Sequence, residues 1–205
     1  MKTLVNNLAF RHAYQGFFLL LMIAIPNITL GMTTLYNNQT GLTFTKLESW
    51  GVIAINLIIF YLTYLWAKSE GLMTRFRLDL KDAKAIIWGF LTIFLMGVIG
   101  SNLMLLTHTN YHAELQKTLT TTPILPVAIG MISAAFLQEI LFRKWIFTWL
   151  APYSKTAVLV STGLFCLFHM PTNLAYLTLY IGMGLALSMV YQKRENLSAS
   201  ITLHV

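Results

Sequence analysis

The chain has 205 residues, of which 57% are hydrophobic and 10% charged, with a formal net charge of +7. Soluble domains average about 45–50% apolar and about 25% charged residues, so this composition excludes a soluble globular protein and a disordered one and leaves a polytopic membrane protein. The basic excess calls for no nucleic acid, and a single cysteine, Cys166, excludes an intramolecular disulfide and a multi-cysteine metal site.

Uncharged apolar runs predict the spans in chain order. The first covers about Phe17–Met32; Lys2 and Arg11 precede it, but no small-residue cleavage site follows, so it reads as a retained span. The second is Trp50–Ala67, flanked by Trp50, Tyr64, Trp66 and Lys68 as interfacial belts usually are. The third is about Ile86–Leu106, and the fourth starts near Pro123, a residue tolerated in the first helical turn. Thr156–Met170 and Asn173–Tyr191 read as the fifth and sixth, and a seventh begins at Asn196 and stops at Val205. The expected fold is therefore all-α, a membrane helix bundle of six complete spans and a truncated seventh. It forms a single transmembrane domain over residues 1–205, with more variable spans over 1–122 and the candidate chemistry over 123–205.

With alternating sides, twelve of the 14 Lys and Arg residues fall on one face, leaving only Lys46 and Lys117 on the other. Cytoplasmic loops are the basic ones, so the N-terminus is expected in the cytoplasm of a multi-pass cell-membrane protein. The basic stretch 68–84 reads first as a topology determinant, with a grip on anionic lipid or an acidic substrate as the alternative. Arg143 and Lys144 are the weak point of this alternation, because they need not lie in a loop.

Ionisable groups inside a span are costly, and three places carry them here. Glu139 and Arg143 stand four residues apart in an otherwise apolar helix, so they share a face and can pair. Phe165 and His169 share a face at the end of the fifth span, and His204 lies in the small, hydroxyl-rich last segment. If the fourth helix runs on to about Leu150, Glu139 lies about 16 Å from its end at about 1.5 Å per residue; His169 and His204 fall about 21 Å and about 13 Å from theirs. A carboxylate and two imidazoles from three helices thus converge in depth. Such a set suits polarising water for hydrolysis, holding a metal, or relaying protons in a transporter; a structural ion pair is the bland alternative. His108 and His112 read as surface residues of an outer loop.

Gln138-Glu139-x-x-x-Arg143, then Phe165-x-x-x-His169, then His204 preceded by Asn196-Leu197-x-Ala199-x-Ile201, resemble the motifs of the CAAX-prenyl-protease-like family of intramembrane proteases, also called Abi or CPBP proteases. That family's pattern is Glu-Glu-x-x-x-Arg, Phe-x-x-x-His and a final His-x-x-x-Asn or Asp. The resemblance covers about Val127 to Val205. It implies an all-helical core and an endopeptidase site sunk in the bilayer, acting on a peptide or membrane-protein substrate, with bacterial members often linked to bacteriocin production and self-immunity. By position, Glu139 matches the second motif Glu, Arg143 would orient the carboxylate, and His169 and His204 would position the attacking water or stabilise the oxyanion. The family is described both as metalloproteases and as metal-free glutamate proteases. If a divalent metal such as zinc is present, His169, His204 and Glu139 would be its ligands. Two departures stand out. Gln138 occupies the first Glu position, and an amide cannot act as a general base at neutral pH. The Asn or Asp expected four positions after His204 is absent from the sequence, which stops at Val205. These departures admit a second reading, a weak or inactive relative acting as a membrane immunity or adaptor protein.

Overall fold

The computed structural model describes residues 2–40, 43–73, 76–106 and 123–205. Arg75, His108, His112 and Lys117 lie outside the described residues. Among the described residues all regular structure is helical: α1 (Lys2–Thr40), α2 (Lys46–Ser69), α3 (Leu80–Leu106), α4 (Ile124–Glu139), a π-helical turn (Ile140–Trp145), α5 (Ile146–Trp149), α6 (Ser154–Phe168), α7 (Leu174–Arg194) and α8 (Leu197–His204).

Five stretches among the described residues are long and apolar enough to cross a membrane: Leu8–Ile28, Lys46–Ser69, Leu80–Leu105, Ile124–Trp149 and Leu174–Arg194. This corrects the expectation of six complete spans and a truncated seventh. The fifth expected span is the 15-residue α6. At about 1.5 Å per residue such a helix covers about 22 Å, short of a hydrocarbon core of about 30 Å. It stops because Met170 adopts a left-handed φ of 44° and Pro171 follows, and a residue before proline is driven out of the helical region. Counting apolar residues joined His169 and Met170 to a helix that the backbone had already left. The last helix, α8, has eight residues.

Local capping explains where the helices begin. Thr45 Oγ1 accepts from the Glu48 amide (3.2 Å) and the Glu48 carboxylate accepts from the Thr45 amide (2.7 Å), a reciprocal box that opens α2. Asp79 and Asp82 do the same for α3, at 2.9 and 2.7 Å. Asn173 accepts from the Tyr176 amide to open α7.

The chain divides into two compact units. One comprises Met1–Glu70 and Asn110–Gln138. In it, Trp66 of α2 packs on Phe18 of α1, with ring centroids 4.3 Å apart. Glu70, just past α2, accepts from Gln15 (2.7 Å) and pairs with Arg11 (2.9 Å). These donors, Gln15 foremost, hold the Glu70 carboxyl below the usual carboxylate range. Farther along α2, Phe60 packs on Phe136 of α4 at 4.5 Å.

The other unit comprises Gly71–Thr109 and Glu139–Val205. Here α3 and α7 run antiparallel: Gly89 faces Val190, Met96 lies against Gly182, and Gly100 lies against the Ala175 carbonyl. A Cβ at Gly182 would run into Met96, so glycine sets the approach of these two helices. Ala85, Val190 and Ala199 form a small core joining α3, α7 and α8.

The reversal from α7 to α8 is pinned to the start of α3. Glu195 takes a left-handed φ of 49°. Arg194 donates to Asp82 (2.7 Å) and Asp79 (2.9 Å). Asn196 donates to Asp82 (2.9 Å) and to the Arg77 carbonyl (2.7 Å), and its own oxygen caps α8 at Ser198. This network sets the direction of α8, and with it the position of His204.

Candidate active site

The helix carrying Glu139 changes pitch at that residue. The Ile146 amide donates to Leu141 O, five residues back, as well as to Arg143 O. Four residues overshoot a 3.6-residue α-turn by about 40°. The wider π-turn shifts Arg143 around the helix relative to Glu139, and the two side chains still meet. The guanidinium Nη1 lies 3.1 Å from Glu139 Oε1, and both side chains are fully buried.

A second hydrogen bond supports the π-turn. Ser161 of α6 donates to the Phe142 carbonyl (2.6 Å), and Ser188 of α7 donates to Ser161 (3.0 Å). Ser161→Ala is expected to lower the unfolding free energy by about 1–3 kcal/mol, because a buried carbonyl loses its side-chain donor. Unfolding by SDS in mixed micelles measures this, and an unchanged midpoint would show that the hydroxyl does not support the turn.

Arg143 has two further partners. Its Nη2 donates to the Gly184 carbonyl of α7 (3.3 Å), and its guanidinium carbon sits 4.6 Å from the Phe165 ring centroid. A Cβ at Gly184 would press on Phe165 at 3.1 Å and on the α6 backbone at Thr162 at 3.3 Å, so glycine keeps this carbonyl close.

His204 comes from α8, and its Nδ1 lies 2.7 Å from Glu139 Oε1. An ionised carboxylate only accepts, so Nδ1–H donates. Glu139 Oε1 therefore faces both His204 and Arg143, and the buried Ser200 hydroxyl of α8 also lies beside the carboxylate.

His169 ends α6, with its Nδ1 2.8 Å from the Phe165 carbonyl. A carbonyl cannot donate, so Nδ1 carries the hydrogen and Nε2 of the neutral ring keeps its lone pair. The imidazole packs on Phe165 (4.4 Å) and on Tyr180 of α7 (4.5 Å).

Three of the four residues singled out from the sequence, Glu139, Arg143 and His204, are thus joined directly. His169 joins them through Phe165, whose ring also lies 5.6 Å from His204. Arg143, counted among the loop charges in the alternation of basic residues, is instead a buried helix residue. Gln138, beside Glu139 in sequence, is buried, and its Oε1 has no hydrogen-bond partner.

Sequence reasoning missed Phe165 as the shared contact of both imidazoles and Arg143. It also missed the Gly184 carbonyl, the Ser161–Ser188 pair and the Arg194–Asp82–Asn196 network. Phe165 was detectable by its four-residue spacing from His169. The hydroxyls are ordinary residues of packed membrane helices and carry no signal of their own.

The donor set does not fit a zinc centre. Zinc takes three or four His, Cys or carboxylate ligands at about 2 Å. Among the described residues no three such groups are placed to share an ion, and the Arg143 guanidinium already supplies positive charge at Glu139 Oε1.

Membrane-length helices and a buried carboxylate held between an imidazole and a guanidinium define a multi-pass membrane protein, helical throughout its described regular structure, with a sequestered polar site. Residues 120–205 carry a CAAX-protease-like domain: they match the family model described as Type II CAAX prenyl endopeptidase Rce1-like. Over nearly its whole length the chain is similar to the UPF0177 protein YvdC of Lactococcus lactis subsp. lactis (strain IL1403). The two are 27% identical over 201 residues, covering 94% of this chain and 75% of the relative. No solved structure matches the chain.

Proposed function

We propose that this chain is an intramembrane endopeptidase of the CAAX-protease type. The observation that carries the reading is the bond between Glu139 and His204, formed in a closed site within the part of the chain that matches the family. Glu139 Oε2, the oxygen that His204 does not bind, takes a proton from water as the water oxygen attacks the scissile carbonyl. The C–N bond then breaks, and the same proton passes to the departing amine. His204 and Arg143 hold Oε1 and so aim Oε2. His169 offers Nε2 as an acceptor that positions the water. No step passes through a metal. The substrate is a peptide or a membrane protein, and bacteriocin processing or self-immunity is the setting in which such an activity would serve.

The N-terminus is proposed to be cytoplasmic. Support comes from the second unit, where Arg194 pairs with Asp82 and where Lys144, Ser154 and Glu195 line one cavity; the basic residues of α3, the α5–α6 turn and the α7 end thus gather at one end.

Glu139→Gln keeps the shape of the side chain and removes its basicity. It is expected to lower cleavage of a membrane-embedded peptide substrate by about 10²–10⁴-fold, the usual worth of a general base. Purified full-length protein in lipid vesicles, assayed for peptide fragments by mass spectrometry, measures this; wild-type cleavage by the variant would end the proposal. Gln138 favours the second reading, an immunity or adaptor protein with little activity. Gln138→Glu separates the two, because a large gain of cleavage in that variant would mark the present chain as a weakened protease.

A further inference from the structure

A groove of about 430 Å³ runs between α3 and α7 on the second unit. On α3 its wall is Ala85, Trp88, Gly89 and Thr92, which recur at helical spacing along one stripe. Lys81 stands one turn earlier on that stripe. On α7 the wall runs through Met189 to Lys193 by the same rule. Because the helices are antiparallel, the two lysines mark one end of the groove. The Arg194–Asp82 bond lies at that end.

The wall is largely apolar, with Gln192 and Lys193 at its polar end. Thr92 donates its hydroxyl back to the Trp88 carbonyl (2.9 Å), so that its methyl is what remains for a ligand. Trp88 is 70% exposed and Met189 53% exposed, so the groove is open. Both helices are of membrane-crossing length, so what meets this wall is hydrocarbon. From Lys81 to Thr92 the rise is about 16 Å, which matches about half of a hydrocarbon core of about 30 Å. The groove itself, from Ala85 to Thr92, accounts for about 10 Å of that rise, and Lys81 stands beyond its polar end.

Asp79 and Asp82 both bind Arg194, no acidic residue lines the groove, and neither lysine has an ion-pair partner among the described residues. An apolar slot with an exposed tryptophan in its wall and two lysines without ion-pair partners at its polar end is complementary to one kind of molecule.

We propose that this groove binds an anionic phospholipid, with one acyl chain along Trp88, Thr92 and Met189 and the phosphate held by Lys81 and Lys193. The proposal rests on the helices being membrane-embedded and not on any hydrolytic activity.

Native mass spectrometry of the full chain in a neutral detergent tests it, with phosphatidylglycerol and phosphatidylcholine of identical acyl chains as probes. Juxtamembrane lysines contribute about fivefold each in anionic-lipid affinity, so wild type is expected to prefer phosphatidylglycerol about thirtyfold. Lys81→Gln with Lys193→Gln is expected to abolish that preference. Lys46→Gln with Lys155→Gln, equal in charge change, is expected to retain it. Thr92→Trp, which fills the groove, is expected to weaken both lipids. An undiminished preference in the Lys81/Lys193 variant would overturn the proposal. So would competition by glycerol phosphate as effective as that by the lipid, which would mean a free-anion site, or occupation of the groove by a second copy of the chain, seen as a dimer that excludes lipid.

Discussion

Replacing Arg143 by methionine is expected to lower the unfolding free energy by about 3–5 kcal/mol, the range seen when one member of a buried ion pair is removed. The size follows from the surroundings. Glu139 and Arg143 are both fully buried, and they lie 3.1 Å apart. Without the guanidinium, a buried carboxylate keeps the His204 bond and the Ser200 hydroxyl but loses its counter-ion, and the Gly184 carbonyl loses its side-chain donor. The carboxylate must then be protonated or the helix must move. Removing both charges reverses most of the penalty, because a neutral amide needs no counter-ion: Glu139→Gln with Arg143→Met is expected to be more stable than Arg143→Met alone. Unfolding in mixed micelles for the two single variants and the double variant gives the coupling energy directly. A coupling near zero would mean that the pair does not interact across the π-turn.

His204→Ala is expected to reduce turnover by about 10²–10⁴-fold while leaving KM within a few-fold, if the proposed hydrolysis holds. His204 holds Glu139 Oε1 at 2.7 Å and so aims the other oxygen. Groups that act as one unit are not additive, so Glu139→Gln combined with His204→Ala should be no slower than Glu139→Gln alone. Losses that multiply would show that the two residues serve separate steps. His169→Ala offers a comparison, since His169 bonds the Phe165 carbonyl and not Glu139; its loss should add to that of His204→Ala.

Much of this site was legible before any coordinates. The i, i+4 spacing of Glu139 and Arg143 dictates that they meet on a continuous helix, and burial in an apolar segment dictates that they pair. The similar depths expected for Glu139, His169 and His204 rested only on the rise per residue; in the structure His204 bonds Glu139, and His169 meets them only through Phe165. The fifth and seventh spans were legible only as apolar runs. Apolarity is a necessary property of a membrane span, but helix length decides whether one is formed. The left-handed Met170 ahead of Pro171 ended α6 at 15 residues.

Composition and spacing by themselves therefore determined that the chain is helical and membrane-bound, which residues could bear charge inside it, and which pair had to be neighbours. Those conclusions depend on local periodicity and on the cost of a charge in hydrocarbon, both properties of short segments. Only the tertiary structure decided that the pitch widens after Glu139, that Phe165 is the wall shared by Arg143 and both histidines, that His169 turns one nitrogen to a carbonyl while His204 turns one to the carboxylate, and that Asp82, Arg194 and Asn196 aim the helix that brings His204 in. Each of these joins residues far apart in the chain. Their geometry is set by how side chains of different helices fill the same space, and no periodicity within one segment encodes it.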